Sequence, residues 1–269
     1  MKKFGLITNK YTVSILILVC LFLADVLLHR GMSRVILPTS FSDKIKAVNL
    51  PVCDNQLTAK DKHWISAVDN ILLLQKLPEN TAGIECNIVF NPLKKSFDIF
   101  PDSVNSYSFA ADSLLTVYSN KKLHANIWFD IKNLTAENLN ASVAEVIRLK
   151  NKYTLNNQVV IESSAAYLLR SFCDSGFFTC YQVPELNPYQ ATEPEIIRFA
   201  DSLRNSLTKY PASAISCSYV QYPVLKKFFP NYPLLTRADN SSVSIVSYVF
   251  KRQLENDEHI KAILYPFKD

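Results

Sequence analysis

From about residue 62 onward, short unbroken apolar runs alternate with longer stretches in which apolar residues recur every three or four positions. The runs are Trp64–Val68, Gly83–Phe90, Ile127–Ile131, Val159–Glu162, Phe178–Val183, Ala214–Tyr219, Leu234–Thr236 and Ile260–Tyr265. Strands covered on both faces read this way, because neither side of the pleat meets water. The intervening stretches predict helices over Ala136–Tyr153, Ser164–Asp174, Glu193–Tyr210 and Ser241–Asn256. Thr135 and Thr192 stand where an N-cap is wanted, Pro194 falls in a first turn, and Gly176 follows a helix end. Eight strands with helices between them, over about 210 residues, predict an α/β fold closed as a (β/α)8 barrel. A doubly wound open sheet is the alternative. Both architectures place function just beyond the C-terminal ends of the strands.

A different pattern precedes this. Residues 13–28 read VSILILVCLFLADVLL, with Lys2, Lys3 and Lys10 before them. Such a run is at the short end of what crosses a hydrocarbon core. It predicts one transmembrane helix, an uncleaved signal anchor over residues 1–30, with the lipid bilayer as partner. Gly31 and Ser33 leave a cleavable signal as the competing reading. Residues 31–60 have no periodicity and contain Pro38 and Pro51, so they read as a stalk and lead-in to a barrel domain at 61–269. The domain is expected on the non-cytoplasmic side of a single-pass protein. Cys20 and Asp25 within the helix suggest a contact with other membrane proteins.

Composition narrows the chemistry. With only four glycines, the chain has neither a phosphate-binding Gly-rich loop nor a dinucleotide fingerprint. The net charge of +5 is spread along the chain rather than gathered in runs, so no nucleic-acid footprint is expected. No cofactor is expected either. Cys173 and Cys180 flank a turn and are the candidate disulfide in an oxidising compartment, with buried thiols as the alternative.

The strand ends supply the candidate site: Glu85, Asn87, Asp130, Lys132, Glu162 and Arg237, joined by Asp102. In Trp-Phe-Asp-Ile-Lys-Asn, the period of two places Trp128, Asp130 and Lys132 on one face, which in a barrel points inward. Opposite charges gathered there make either an anion or metal site or a structural ion-pair network. His63 and His124 precede their strands, at the wrong end of a barrel for catalysis.

The stretches Ala-Gly-Ile-Glu-Cys-Asn-Ile-Val-Phe, Ser-Phe-Asp-Ile-Phe-Pro-Asp, Ile-Trp-Phe-Asp-Ile-Lys-Asn-Leu and Val-Val-Ile-Glu-Ser, in that order, resemble the glycerophosphodiester phosphodiesterases. These belong with the phosphatidylinositol-specific phospholipase C-like barrels. The resemblance implies a phosphodiesterase fold with two catalytic histidines and carboxylates that hold a divalent cation. Glu85, Asp130, Lys132 and Glu162 match that pattern, and Glu85 is the candidate metal ligand. Asn87 stands where an aspartate belongs, Pro101 where one histidine belongs, and Ala67 or a neighbour where the other belongs. Without imidazoles, general acid–base catalysis is lost, and an amide in place of a carboxylate weakens a hard-cation site. The resemblance therefore implies a degenerate, catalytically inactive member. Such a pseudoenzyme would bind a phosphorylated or polyol ligand or serve a cell-envelope complex. A diesterase or lyase with a rearranged site is the alternative.

Overall fold

The computed structural model describes residues 10–36, 41–58, 61–100, 109–238 and 244–267. Eight parallel strands form the barrel: β1 (His63–Ser66), β2 (Gly83–Asn91), β4 (Asn126–Ile131), β5 (Val159–Ser163), β6 (Phe178–Gln182), β7 (Ala214–Ser218), β8 (Leu234–Arg237) and β9 (Ile260–Pro266). β1 pairs with β9 on one side and with β2 on the other, at Ile65↔Ile84, so the sheet closes and the open-sheet alternative falls. All eight predicted strands are present.

β3 (Ser96–Ile99) is an addition that the apolar pattern did not signal. It runs antiparallel to the end of β2, and its two apolar residues in four are too short a run to register. The turn between them holds through the Asn91 side chain, which accepts from the backbone N–H of Leu93 and Lys94.

Alternation along the strands sorts side chains between two cores. Ile127, Phe129 and Ile131 face outward to the helices, while Trp128 joins Trp64, Val160, Phe178, Cys180, Ala214, Leu235, Ala262 and Leu264 inside the barrel. The two indoles meet edge-to-face at 6.2 Å between centroids. A Cβ at Gly83 would lie 2.1 Å from the Trp64 ring, so this glycine is what admits an indole to the barrel interior.

Helices α3 (Ile71–Lys76), α4 (Ala111–Asn120), α5 (Leu139–Tyr153), α6 (Ala166–Asp174), α7 (Glu193–Lys209), α8 (Tyr222–Phe228) and α9 (Ile245–Asn256) ring the barrel. α5 begins three residues later than the periodicity predicts. The Asn138 side chain accepts from Thr135 N–H and donates to the Asn133 carbonyl, which holds the approach as a turn. α7 starts as predicted, on a reciprocal capping box between Thr192 and Glu195. Gly176 adopts φ +80° just after α6, the left-handed conformation its position called for.

The lead-in is not a stalk. Residues 41–58 run under the N-terminal end of the barrel, hydrogen-bonded through Val48 to Phe228, Cys53 to Ala212 and Thr58 to Asn157. Ala212 and Asn157 lie just before strands β7 and β5 and Phe228 ends α8, so backbone pairing along the rim overrides the absence of periodicity. Leu50 is buried there and Asn231 brackets its backbone. A disulfide joins Cys53 to Cys173 across 120 residues and fixes this strap to the end of α6. The expected Cys173–Cys180 pair does not form. Cys180 lies on β6 and points into the barrel, whereas Cys173 is on the outer helical layer, so the strands' alternation separates them.

The N-terminal apolar run folds as α1 (Lys10–Leu28), followed by α2 (Arg30–Ile36). Among the described residues no single helix is long and apolar enough to cross a membrane; α1 and α2 meet that length and composition only together, across a 96° bend. α2 belongs to the barrel body, with Met32 and Val35 buried. Asp25, near the end of α1, accepts from Val246 N–H at the start of α9.

Candidate functional site

Side chains that face inward on successive strands climb from the apolar interior to a charged mouth. On β4 the step is from Trp128 to Asp130 and then Lys132, as the period of two predicts. β5 steps from Val160 to Glu162, β8 from Leu235 to Arg237, and β2 from Gly83 to Glu85. Asp130 and Glu162 are in register on adjacent strands, and Glu85 lies in register with Trp128. Glu85, Asp130 and Glu162 are all at most 1% exposed.

One cation answers all three. Arg237 enters from β8, across the barrel, and its Nη2 lies 2.6 Å from Glu85 Oε1, 3.2 Å from Asp130 Oδ2 and 3.7 Å from Glu162 Oε1. Its guanidinium sits over the Trp128 ring at 5.9 Å, which directs it across the mouth. Lys132 adds a contact of 2.5 Å to Asp130 Oδ2. Ser216 donates to Glu162 Oε1 at 2.9 Å, and the Ala67 N–H donates to Glu85 Oε2 at 3.2 Å. Ala67 makes that bond from the left-handed region, at φ +53°, a strained conformation for a residue with a Cβ.

Three carboxylates against two cations leave one surplus negative charge in a dry site. Burial and the neighbouring Asp130 push the Glu162 carboxyl up to about 8, against the pull of Arg237. Burial also raises Glu85, opposed chiefly by Arg237. Burial acts to lower the Arg237 pKa, but Glu85, Glu162 and Asp130 outweigh it and the guanidinium stays firmly charged.

The predicted residues thus divide. Glu85, Asp130, Lys132, Glu162 and Arg237 come together. Asn87 is on the same strand as Glu85 but is held by Asp69, which takes its backbone N–H and its Nδ2, each at 2.8 Å. Asp102 lies outside the described residues, as does Pro101. Asp69 and Ser216 were missed, and Ala67, read only as standing where a histidine belongs, contributes its backbone N–H to Glu85. The alternation of small residues Ala214, Ser216 and Ser218 on β7 was the available signal for Ser216; Asp69, beyond the end of β1, carried none.

None of the four histidines lines the mouth. His63 stacks on Tyr265 at the N-terminal end of β1, and His259 is tied to Asp257 and the Pro230 carbonyl. His124 is exposed before β4, and His29 pairs with Asp25 at the α1–α2 corner. Beside Arg237 opens a cavity of about 460 Å³, lined by Ser164, Gln182, Ser216, Ser218 and Gln221 among others. Its wall joins hydroxyls and amides to the Glu185 carboxylate on one side and the Arg237 guanidinium on the other, a lining suited to a hydroxylated ligand.

A divalent cation does not fit the described donor set. Every carboxylate that would ligate it already contacts Arg237, and Asn87 is committed to Asp69. Among the described residues no group of three or more His, Cys, Asp or Glu is arranged to hold a metal ion.

No protein-family model matches the chain, and no curated protein does. Solved structures do. A glycerophosphoryl diester phosphodiesterase from Silicibacter pomeroyi superposes with a TM-score of 0.50 at 10% identity, over 79% of this chain and 92% of that one. A glycerophosphodiester phosphodiesterase from Galdieria sulphuraria gives 0.50 at 11% identity, over 79% and 94%. The fold resemblance read from the strand motifs is therefore correct. Identities this low establish the barrel and not its chemistry.

Proposed function

We propose that the protein is a membrane-tethered, phosphodiesterase-like barrel that binds a phosphorylated or polyol ligand at its mouth and does not cleave it. The observation that carries this reading is the mouth itself. Its carboxylates are gathered around Arg237 and Lys132, and no imidazole stands beside them to move a proton. Loss of acid–base groups alone removes about two to four orders of magnitude in rate. The cavity next to Arg237 supplies the binding surface.

The tether is supported by α1. Leu16, Leu18, Leu21 and Leu23 fall on all sides of the helix and are each more than half exposed. An apolar helix exposed all round wants lipid or other helices as its solvent. In this reading the barrel lies on the non-cytoplasmic side as an accessory module of an envelope assembly.

The activity test is hydrolysis of glycerophosphodiesters and phosphoinositides by the purified full chain, with and without added divalent ions. No turnover is expected; turnover that disappears in Glu85→Ala would overturn the reading. The tether test is Ile15→Arg with Leu16→Arg, both exposed and neither lining the cavity between α1 and α9. The native chain is expected to stay with membranes after alkaline extraction and the variant to be released; a native chain that is also released would refute the tether.

A second reading rests on Glu162. A carboxyl that keeps its proton near neutral pH, close to a polar cavity, is a general acid by nature. Diester cleavage that falls as Glu162 ionises above about 8, and that is lost in Glu162→Gln, would favour it.

A further inference from the structure

We infer that Arg237 is a built-in cation: its Nη2 occupies the focus of a carboxylate site that would otherwise take a divalent metal ion. The inference concerns the cation and does not depend on which ligand the mouth binds.

The geometry of the contacts carries it. An arginine in an ordinary ion pair presents its fork, so that two nitrogens meet the two oxygens of one carboxylate. Here all three carboxylates approach one nitrogen, Nη2, at 2.6, 3.2 and 3.7 Å. Glu85, Asp130 and Glu162 come from β2, β4 and β5, which are neighbours in the barrel. Three oxygens from adjacent strands thus converge on one cationic nitrogen, and with that nitrogen in place the described residues include no group arranged to hold a metal ion. Arg237 comes from β8, three strands away in either direction around the barrel, so it spans the mouth to reach that point.

Two further features fit. Glu162 Oε2 is buried without a hydrogen-bond partner, so this carboxyl meets the guanidinium through Oε1 alone and not as a matched pair of oxygens. The Asp130 oxygen is shared between Nη2 and the Lys132 ammonium, so the acids are balanced by point charges rather than by matched forks. The chain has exchanged a diffusible ion for a tethered one. Its carboxylates are gathered on that tethered cation, and chelators should leave the mouth unchanged.

Removal of the guanidinium is the test. Native full-length protein in detergent, stripped with EDTA, is titrated with Mn²⁺ by electron paramagnetic resonance and with Ca²⁺ by calorimetry. Arg237→Ala and the volume-preserving Arg237→Met are titrated alongside. The variants are expected to bind at least about ten-fold more tightly than the native chain, and adding Glu85→Gln should abolish the gain. If either variant fails to fold in EDTA, recovery of its circular dichroism on adding Ca²⁺ supports the inference, and no recovery overturns it. It is equally overturned if the native chain binds as tightly as the variants, or if folded variants gain nothing.

Discussion

Asp130 and Glu162 lie in register on the adjacent strands β4 and β5, both carboxyls buried, and the charge of Asp130 adds to burial in holding the proton on Glu162. The consequence is a pH dependence with a definite sign. Glu162 holds its proton up to about 8 in the folded chain, whereas an ordinary glutamate releases it near 4.5. Between those values the folded state binds a proton that the unfolded state does not, so stability falls as pH rises through the window. Urea midpoints of the native chain should decrease from pH 5 to pH 8, and Glu162→Gln should flatten the profile. Parallel profiles for the two proteins would assign the slope elsewhere.

Arg237 should be worth more to stability than a surface arginine. Its side chain is 39% exposed, but the Nη2 end is enclosed by carboxylates that are at most 2% exposed. Removing one partner of such a cluster leaves buried charge without compensation, at a cost of about 3 kcal/mol, the lower end for buried pairs because the arginine stem is partly wet. Arg237→Ala in EDTA should lose that amount in urea unfolding. Arg237→Met combined with Glu85→Gln should recover part of it, since both members are then uncharged.

Gly83→Ala should be severe for a methyl group. The new Cβ would fall 2.1 Å from Trp64, which is wholly buried and edge-on to Trp128. Overpacking of this kind costs about 1–3 kcal/mol, and an indole with no space to rotate places this site at the upper end. Thermal unfolding together with near-ultraviolet circular dichroism, which reports the tryptophan pair, will show whether the barrel interior shifts.

Reduction should loosen the strap beneath the barrel. The Cys53–Cys173 bond spans 120 residues, for which chain entropy allows a stabilisation of up to about 5 kcal/mol, with about 2–4 kcal/mol typical. Cys53→Ser and Cys173→Ser should each show that loss and be insensitive to reductant, while the protein with Cys180→Ser should still respond to it. Peptide mapping without reduction should recover the 53–173 pair; a 173–180 pair would refute this connectivity.

The order of apolar runs by itself determined eight strands and four of the helices between them, because burial on both faces leaves an unbroken apolar signature in each strand, while the β1–β2 pairing decided closure over an open sheet. The inward set Trp128, Asp130 and Lys132 was likewise legible, since a pleat has a strict period of two. What neighbours those side chains would meet was not. Arg237 reaches its three carboxylates only because closure brings β8 opposite β2, β4 and β5, and no local pattern encodes a contact between positions 85 and 237. The disulfide shows the same limit. Cys173 and Cys180 are near in sequence but lie in different layers, and Cys53, 120 residues away, becomes the partner because the strap passes beneath α6. Local periodicity fixes which way a residue points; only the closed tertiary structure decides what it points at.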